Sequence, residues 1–144
     1  RFDDVLRAAL HGRDETLIRE HAQAYAKELS WQAHTAPEVC DAMISGKMPE
    51  VTKIYGDARR RLTAKVVLSG TEAEGTGERG RVTDVRIPGA MMRDAIDRTG
   101  IPADEFKAAL AGGGTARQRC NARIALIETA LSSDAGLPVL RKLF

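Results

Sequence analysis

Apolar residues recur every three or four positions through most of this chain, and that period lapses only between Lys65 and Ile87. Side chains return to the same side every 3.6 residues on an α-helix and every two on a strand, so the pattern predicts a chain built almost wholly from amphipathic helices. Phe2, Val5, Leu6, Ala9 and Leu10 form a first stripe, which His11-Gly12 ends. Leu17, Ile18, His21, Ala24, Tyr25 and Leu29 form a second, running from a cap at Asp14 to about Ser30. Trp31 then falls just past the helix end, as a staple for the corner. His21 lies on the apolar stripe, where a half-buried histidine is expected. Thr35-Ala36-Pro37-Glu38 spells a capping box, predicting a short helix from there to Gly46. Val51, Ile54, Tyr55, Ala58 and Leu62 make a fourth stripe, with Lys53, Arg59, Arg60 and Arg61 on its outer face.

The middle of the chain has another character. Val66-Val67-Leu68 is short and mostly β-branched, and Arg81 to Ile87 alternates Thr83, Val85 and Ile87 with Val82, Asp84 and Arg86. Between them, residues 70–80 hold four glycines and no large apolar side chain. A β-hairpin with a long tip fits this stretch, as does a helix running into a linker. The helical period returns at Met91, Met92, Ala95 and Ile96, ends at Gly100, and resumes after Pro102 with Phe106, Ala109 and Leu110. Gly112-Gly113-Gly114 breaks the chain, and Thr115-Ala116-Arg117-Gln118 is a second capping box. It opens a long helix striped by Cys120, Ile124, Ile127 and Leu131, and Leu137 to Phe144 forms a terminal turn. The expected fold is mainly α: a single domain over 1–144, with a helical part at 1–63, a short hairpin or strand with a glycine-rich loop at 64–88, and a second helical part at 89–144.

With 144 residues, a single domain buries roughly two-thirds of the surface its unfolded chain exposes, which is a sufficient core without cross-links. Hydrophobic residues at 43% against 29% charged exclude a wholly disordered chain and a disulfide-stapled mini-protein. The net charge of +2 is a small difference between 22 basic and 20 acidic residues, and each side of Gly70 carries 11 basic and 10 acidic. A whole-molecule field that would draw in a polyanion is thereby excluded, leaving only local basic patches. Cys40 and Cys120, far apart in a chain with no visible signal peptide, read as reduced packing thiols in a cytoplasmic protein. The apolar runs are too short to span a membrane.

Motifs of catalysis are sparse. Gly-x-Ser-x-Gly, H-E-x-x-H, C-x-x-C and the phosphate-loop pattern are absent from the sequence. Gly75-Thr76-Gly77-Glu78-Arg79-Gly80 spells G-x-G-x-x-G, but it leads into the strand-like run rather than out of one, and Glu78 would repel a pyrophosphate. Glu72-Ala73-Glu74 resembles the paired-glutamate signature of ADP-ribosyltransferases over three residues, without that family's strand-rich scaffold. No catalytic residue, metal site or cofactor is expected.

Binding is better represented. Arg117, Gln118, Arg119, Asn121 and Arg123 crowd the start of one helix, with no acid until Glu128. These residue types contact phosphates and the edges of guanine and adenine, and the preceding glycines leave backbone amides for an anion. Arg59, Arg60 and Arg61 form a secondary basic patch. Residues 81–110 also resemble the ribbon-helix-helix pattern in outline: an alternating strand, a helix, a Thr99-Gly100 turn and a second helix. That resemblance implies a groove-reading ribbon at Arg81 to Arg86 and a homodimer. Six aromatics, mostly on apolar stripes, leave little for stacking on single strands. The leading expectation is a non-enzymatic, bacterial-type module that binds duplex DNA through the arginine helix. Its alternative is a helical protein-interaction domain, such as an adaptor or secretion-related module, that uses an exposed apolar face around Met91 and Met92.

Overall fold

A computed structural model describes residues 15–47, 50–68 and 86–144. Seven α-helices follow in order among these residues: α1 (Glu15–Thr35), α2 (Pro37–Ile44), α3 (Lys53–Leu68), α4 (Gly89–Thr99), α5 (Ala103–Leu110), α6 (Ala116–Leu131) and α7 (Leu137–Leu143), with a 3-10 turn at Asp134–Gly136 between the last two. The mainly α expectation holds, and no strand is present among the described residues. Val66-Val67-Leu68 continues α3, so of the two readings of this stretch the hairpin strand fails there and the continuing helix holds. Once a helix is nucleated, adding a residue to it is easier than starting a new element, so β-branched residues at its end are carried along. The first predicted helix, the glycine-rich loop, Glu72, Glu74 and most of the Arg81 to Ile87 strand lie outside the described residues.

α1 runs five residues beyond the predicted end, because nothing between Trp31 and Thr35 breaks a helix. It stops where Ala36, held extended at φ −152° and ψ 82° ahead of Pro37, cannot continue it. The expected capping box at Thr35 does not form: the Thr35 hydroxyl donates to the Trp31 carbonyl (3.2 Å), and no side chain caps α2. Trp31 therefore stands on the helix itself and is no corner staple.

α6 is the axis of the fold, packed against α1, α2, α4, α5 and α7. Its apolar residues occupy consecutive positions, with Ile124, Ala125, Leu126 and Ile127 all buried, as expected of a helix surrounded on several sides. The core falls into two clusters. The larger joins Ile18, Leu29, Leu126, Ile127 and Leu140, whereas the smaller packs Ala95, Ala109, Ala122 and Ala125 around Phe106. The final turn docks through Val139, Leu140, Leu143 and Phe144. Buried His21 meets the Phe144 ring edge-on at 5.0 Å, as its place on the apolar stripe suggested. Arg19 closes the end of α6, donating to the carbonyl of Leu131 (3.3 Å) in its last turn and to that of Ser133 (3.3 Å), which also accepts the Gly136 N–H (3.0 Å).

Two expectations are overturned here. Cys40 and Cys120 are disulfide-bonded, with their Cα atoms 5.9 Å apart, rather than reduced. Their separation in sequence gave no sign that α2 and α6 would lie side by side. Met91 is 5% exposed and belongs to the core, with Met92 half-buried beside it, so the proposed methionine face is an inner one. No helix among the described residues is long and apolar enough to cross a membrane.

Candidate functional site

The arginine helix is α6, and its predicted contact residues are held in several ways. The Thr115 capping box forms: Gln118 N–H donates to the Thr115 hydroxyl (3.1 Å), and Thr115 N–H donates to Gln118 Oε1 (2.9 Å). Gln118 and one of the terminal amides expected to cradle an anion are thus engaged within the helix. The Arg119 guanidinium lies along the Asp41 carboxylate, with Nε to Oδ1 and Nη2 to Oδ2 both at 2.8 Å, and Nη1 also donates to the Gly114 carbonyl (2.6 Å). The Arg119 hydrogen bonds hold the Asp41 carboxyl below its ordinary range, outweighing the opposing effect of burial. The same bonds to Asp41 raise Arg119. Arg117 is exposed and donates to the Ala33 carbonyl (3.4 Å), while Asn121 and Arg123 are half-buried. The five residues share one helix, yet only Arg117 is exposed, and it too reaches a backbone carbonyl.

The secondary patch is also divided. Arg59 is half-buried, its guanidinium 5.9 Å from the centre of the Tyr55 ring. Arg60 pairs with Asp57, which also accepts from Lys53 (2.9 Å), and these contacts, Lys53 first, hold the Asp57 carboxyl low. Arg61 points instead into a groove. No cluster of three or more His, Cys, Asp or Glu side chains that could hold a metal occurs among the described residues.

That groove, about 490 Å³ in volume, lies between α1 and α3. α1 lines it from Glu20 to Trp31, and α3 from Ile54 to Lys65. At one end Lys65 Nζ meets Glu20 Oε2 at 2.8 Å. At the other, Glu28 is 4% exposed and receives both the backbone N–H of Thr52 (3.0 Å) and its hydroxyl, while Gln32 Nε2 donates to the same carboxylate (3.0 Å). Thr52 precedes the first turn of α3 and accepts from Tyr55 N–H (3.3 Å), so buried Glu28 fixes the start of α3 against α1. Ala24 and Ala58 line the groove between these ends, with the buried Tyr55 and Leu62 beside them. At the mouth stand Trp31, 57% exposed, and Ile54, 81% exposed.

The helical period concealed this pairing. Ile54 and Tyr55 both fit the apolar stripe of α3, but neighbours on a helix point about 100° apart, and only Tyr55 turns inward. A corner position for Trp31 requires α1 to end at Ser30, and the helix continues to Thr35. A second depression, about 530 Å³, lies between α4 and the end of α6 and is lined by Asp94, Asp97, Thr129 and Ser132; Arg98 donates to the Ser132 hydroxyl there (3.2 Å). Its lining includes neither of the large exposed apolar side chains. No model of a known protein family, no curated protein and no solved structure matches this chain.

Proposed function

We propose that this chain is a non-enzymatic helical binding module that captures a protein partner along the α1/α3 groove. One observation carries the proposal: Trp31 and Ile54, the large apolar side chains that the described residues leave in water, line the same groove. Scattered apolar exposure is ordinary on a soluble domain, whereas an exposed tryptophan beside an exposed isoleucine at the mouth of a concave surface is the composition of an interaction anchor. The groove is framed by helices whose spacing the contacts of Glu28 with Thr52 and of Glu20 with Lys65 fix at both ends, so it is preformed.

Duplex DNA binding through Arg117, Arg119 and Arg123 draws less support from the geometry. Arg119 would have to surrender Asp41 before it could neutralise a phosphate, and removing one member of such a pair leaves the other charge uncompensated. A buried disulfide is the habit of chains that mature in oxidising compartments, so the proposal places the protein in such a compartment rather than in the cytoplasm.

Selection of a displayed library of random-sequence peptides, free to be helical or extended, on the wild-type protein, with Ile54→Asp as the counter-screen, tests the proposal. Peptides that bind the wild type and lose about thirtyfold in affinity on Ile54→Asp are expected, the loss of one hot spot of about 2 kcal/mol. Selection of no peptide that depends on Ile54 overturns it.

A further inference from the structure

The groove also carries information about the shape and charge of its occupant. Its α1 lining runs from Glu20 to Trp31 and its α3 lining from Ile54 to Lys65, with Glu20 facing Lys65 and Glu28 facing Thr52, so the two helices are antiparallel along it. At 1.5 Å per residue each wall is about 16 Å long, or three helical turns. Alanines at 24 and 58 let a third backbone approach, while Trp31 and Ile54 supply contact area at one end. A peptide bound by strand addition would need a sheet edge to pair with, and no strand exists among the described residues. A helix satisfies its own backbone and needs only a groove of this length.

Charge narrows the choice. Of the acids lining the groove, Glu20 is neutralised by Lys65 and Glu28 is buried against Thr52 and Gln32. Of the bases, Lys27 on α1 and Arg61 on α3 are exposed and have no ion pair or side-chain hydrogen bond among the described residues. Each wall thus presents one exposed cation without an ion pair, while Glu28, the acid without a cationic partner, is turned away from solvent and engaged by Thr52 and Gln32. We infer that the groove takes an amphipathic helix of about three turns, supplied by a partner protein, whose apolar stripe is flanked by carboxylates. This inference rests on the groove being the binding site, and it adds the partner's secondary structure and charge.

Trp31 is the single tryptophan of the chain and stands at the groove mouth, so its emission reports occupancy without a label. Two synthetic peptides without tryptophan or tyrosine serve as probes, each with leucines at helical spacing, one flanked by glutamates and the other by lysines. Titration of the whole protein with the glutamate-flanked peptide is expected to shift Trp31 emission to the blue and to saturate. Its affinity should exceed that of the lysine-flanked peptide by about tenfold, fall as salt is raised, and yield to the lysine-flanked peptide in Lys27→Glu/Arg61→Glu. Equal affinities, or preference of the wild type for lysine, overturn the inference; if Ile54→Asp still abolishes both, the groove remains a binding site. Failure of both peptides to move Trp31, while library selection yields Ile54-dependent binders that are not helical, overturns the helix and leaves the site. If no ligand depends on Ile54, both fall. Self-association in sedimentation that Ile54→Asp abolishes would make the occupant a second copy and overturn the assignment to a partner protein.

Discussion

The seam between α2 and α6 and the seam between α1 and α3 join helices by opposite means. At the first, Cys40 is bonded to Cys120 while the adjacent Asp41 and Arg119 meet side by side, so one turn of each helix is held by a covalent bond and a forked ion pair together. At the second, contacts gather at the two ends, Glu28 with Thr52 and Glu20 with Lys65, and the space between them is floored by alanine and open to water. The difference teaches that residue type is a poor guide to role. The arginine suited by type to a phosphate braces the fold, whereas the isoleucine on an apolar stripe and the tryptophan expected at a corner are displayed. What decides is the partner the fold supplies: Arg119 finds a carboxylate, and Ile54 is left 81% exposed.

If the α2/α6 seam is the braced one, breaking it has the largest effect. The disulfide closes a loop across a sequence separation of 80 residues, and loop-closure entropy assigns such a link about 4 kcal/mol. Cys40→Ala/Cys120→Ala is therefore expected to lower Tm by roughly 15 °C in calorimetry. A double variant within about 1 kcal/mol of the wild type in denaturant titration would show that the bond contributes little to holding this seam. Next comes Gly136, buried just beyond α6, where an added Cβ would lie 1.8 Å from the Ala130 carbonyl oxygen. Neither that oxygen nor the turn can move without disturbing the docking of α7, so Gly136→Ala should cost about 3 kcal/mol. A neutral variant would mean that the 3-10 turn shifts freely.

Much of this architecture was legible in the sequence. The stripes of α1, α3, α4, α5 and α6 placed those helices, and the Thr115 capping box and Gly100, at φ 70° past α4, fixed two of their ends. These signals are local, set by side chains within one or two turns of each other. What was illegible depends on residues far apart in the chain: the Cys40 to Cys120 bond, the Arg119 fork on Asp41, and the burial of Glu28 against Thr52. The candidate site belongs to this second kind. Trp31 and Ile54 come together only because α3 folds back along α1, a fact no periodicity contains. Even the misplaced strand at Val66 reflects the same limit, since propensity over three residues yielded to the helix already under way.

Acid should sharpen the contrast more gently. Asp41 is depressed in the folded state, chiefly by Arg119, so its contribution is present above the ordinary aspartate range and is lost as pH falls through the lower, folded value. Stability should therefore decline below about pH 4. Arg119→Leu should be less stable at neutral pH and have a flatter acid limb. Asp57, depressed by Lys53 and Arg60, titrates in the same window, so Asp57→Asn provides the control that isolates the α2/α6 contribution. An acid limb unchanged in Arg119→Leu, measured in the Asp57→Asn background, would remove the ion pair from the bracing of that seam.

The smallest expected effect is the most discriminating. Ile54 is 81% exposed, so replacing it with aspartate removes little buried surface and should leave stability within about 0.5 kcal/mol of the wild type. Leu62, two turns further along the same helix and 3% exposed, is the reference: Leu62→Asp buries an unpaired carboxylate among apolar neighbours and should cost at least about 3 kcal/mol. Measured together in denaturant, the two substitutions separate a side chain kept for the fold from one kept for something outside it. Should Ile54→Asp destabilise by more than about 1 kcal/mol, the groove is covered by the chain itself, and the α1/α3 seam becomes a second braced seam rather than a docking surface. Should it be neutral while the Trp31 titration loses its response, the isoleucine contributes nothing measurable to folding and much to binding, which is the division of labour that sets this seam apart from the one at Cys40.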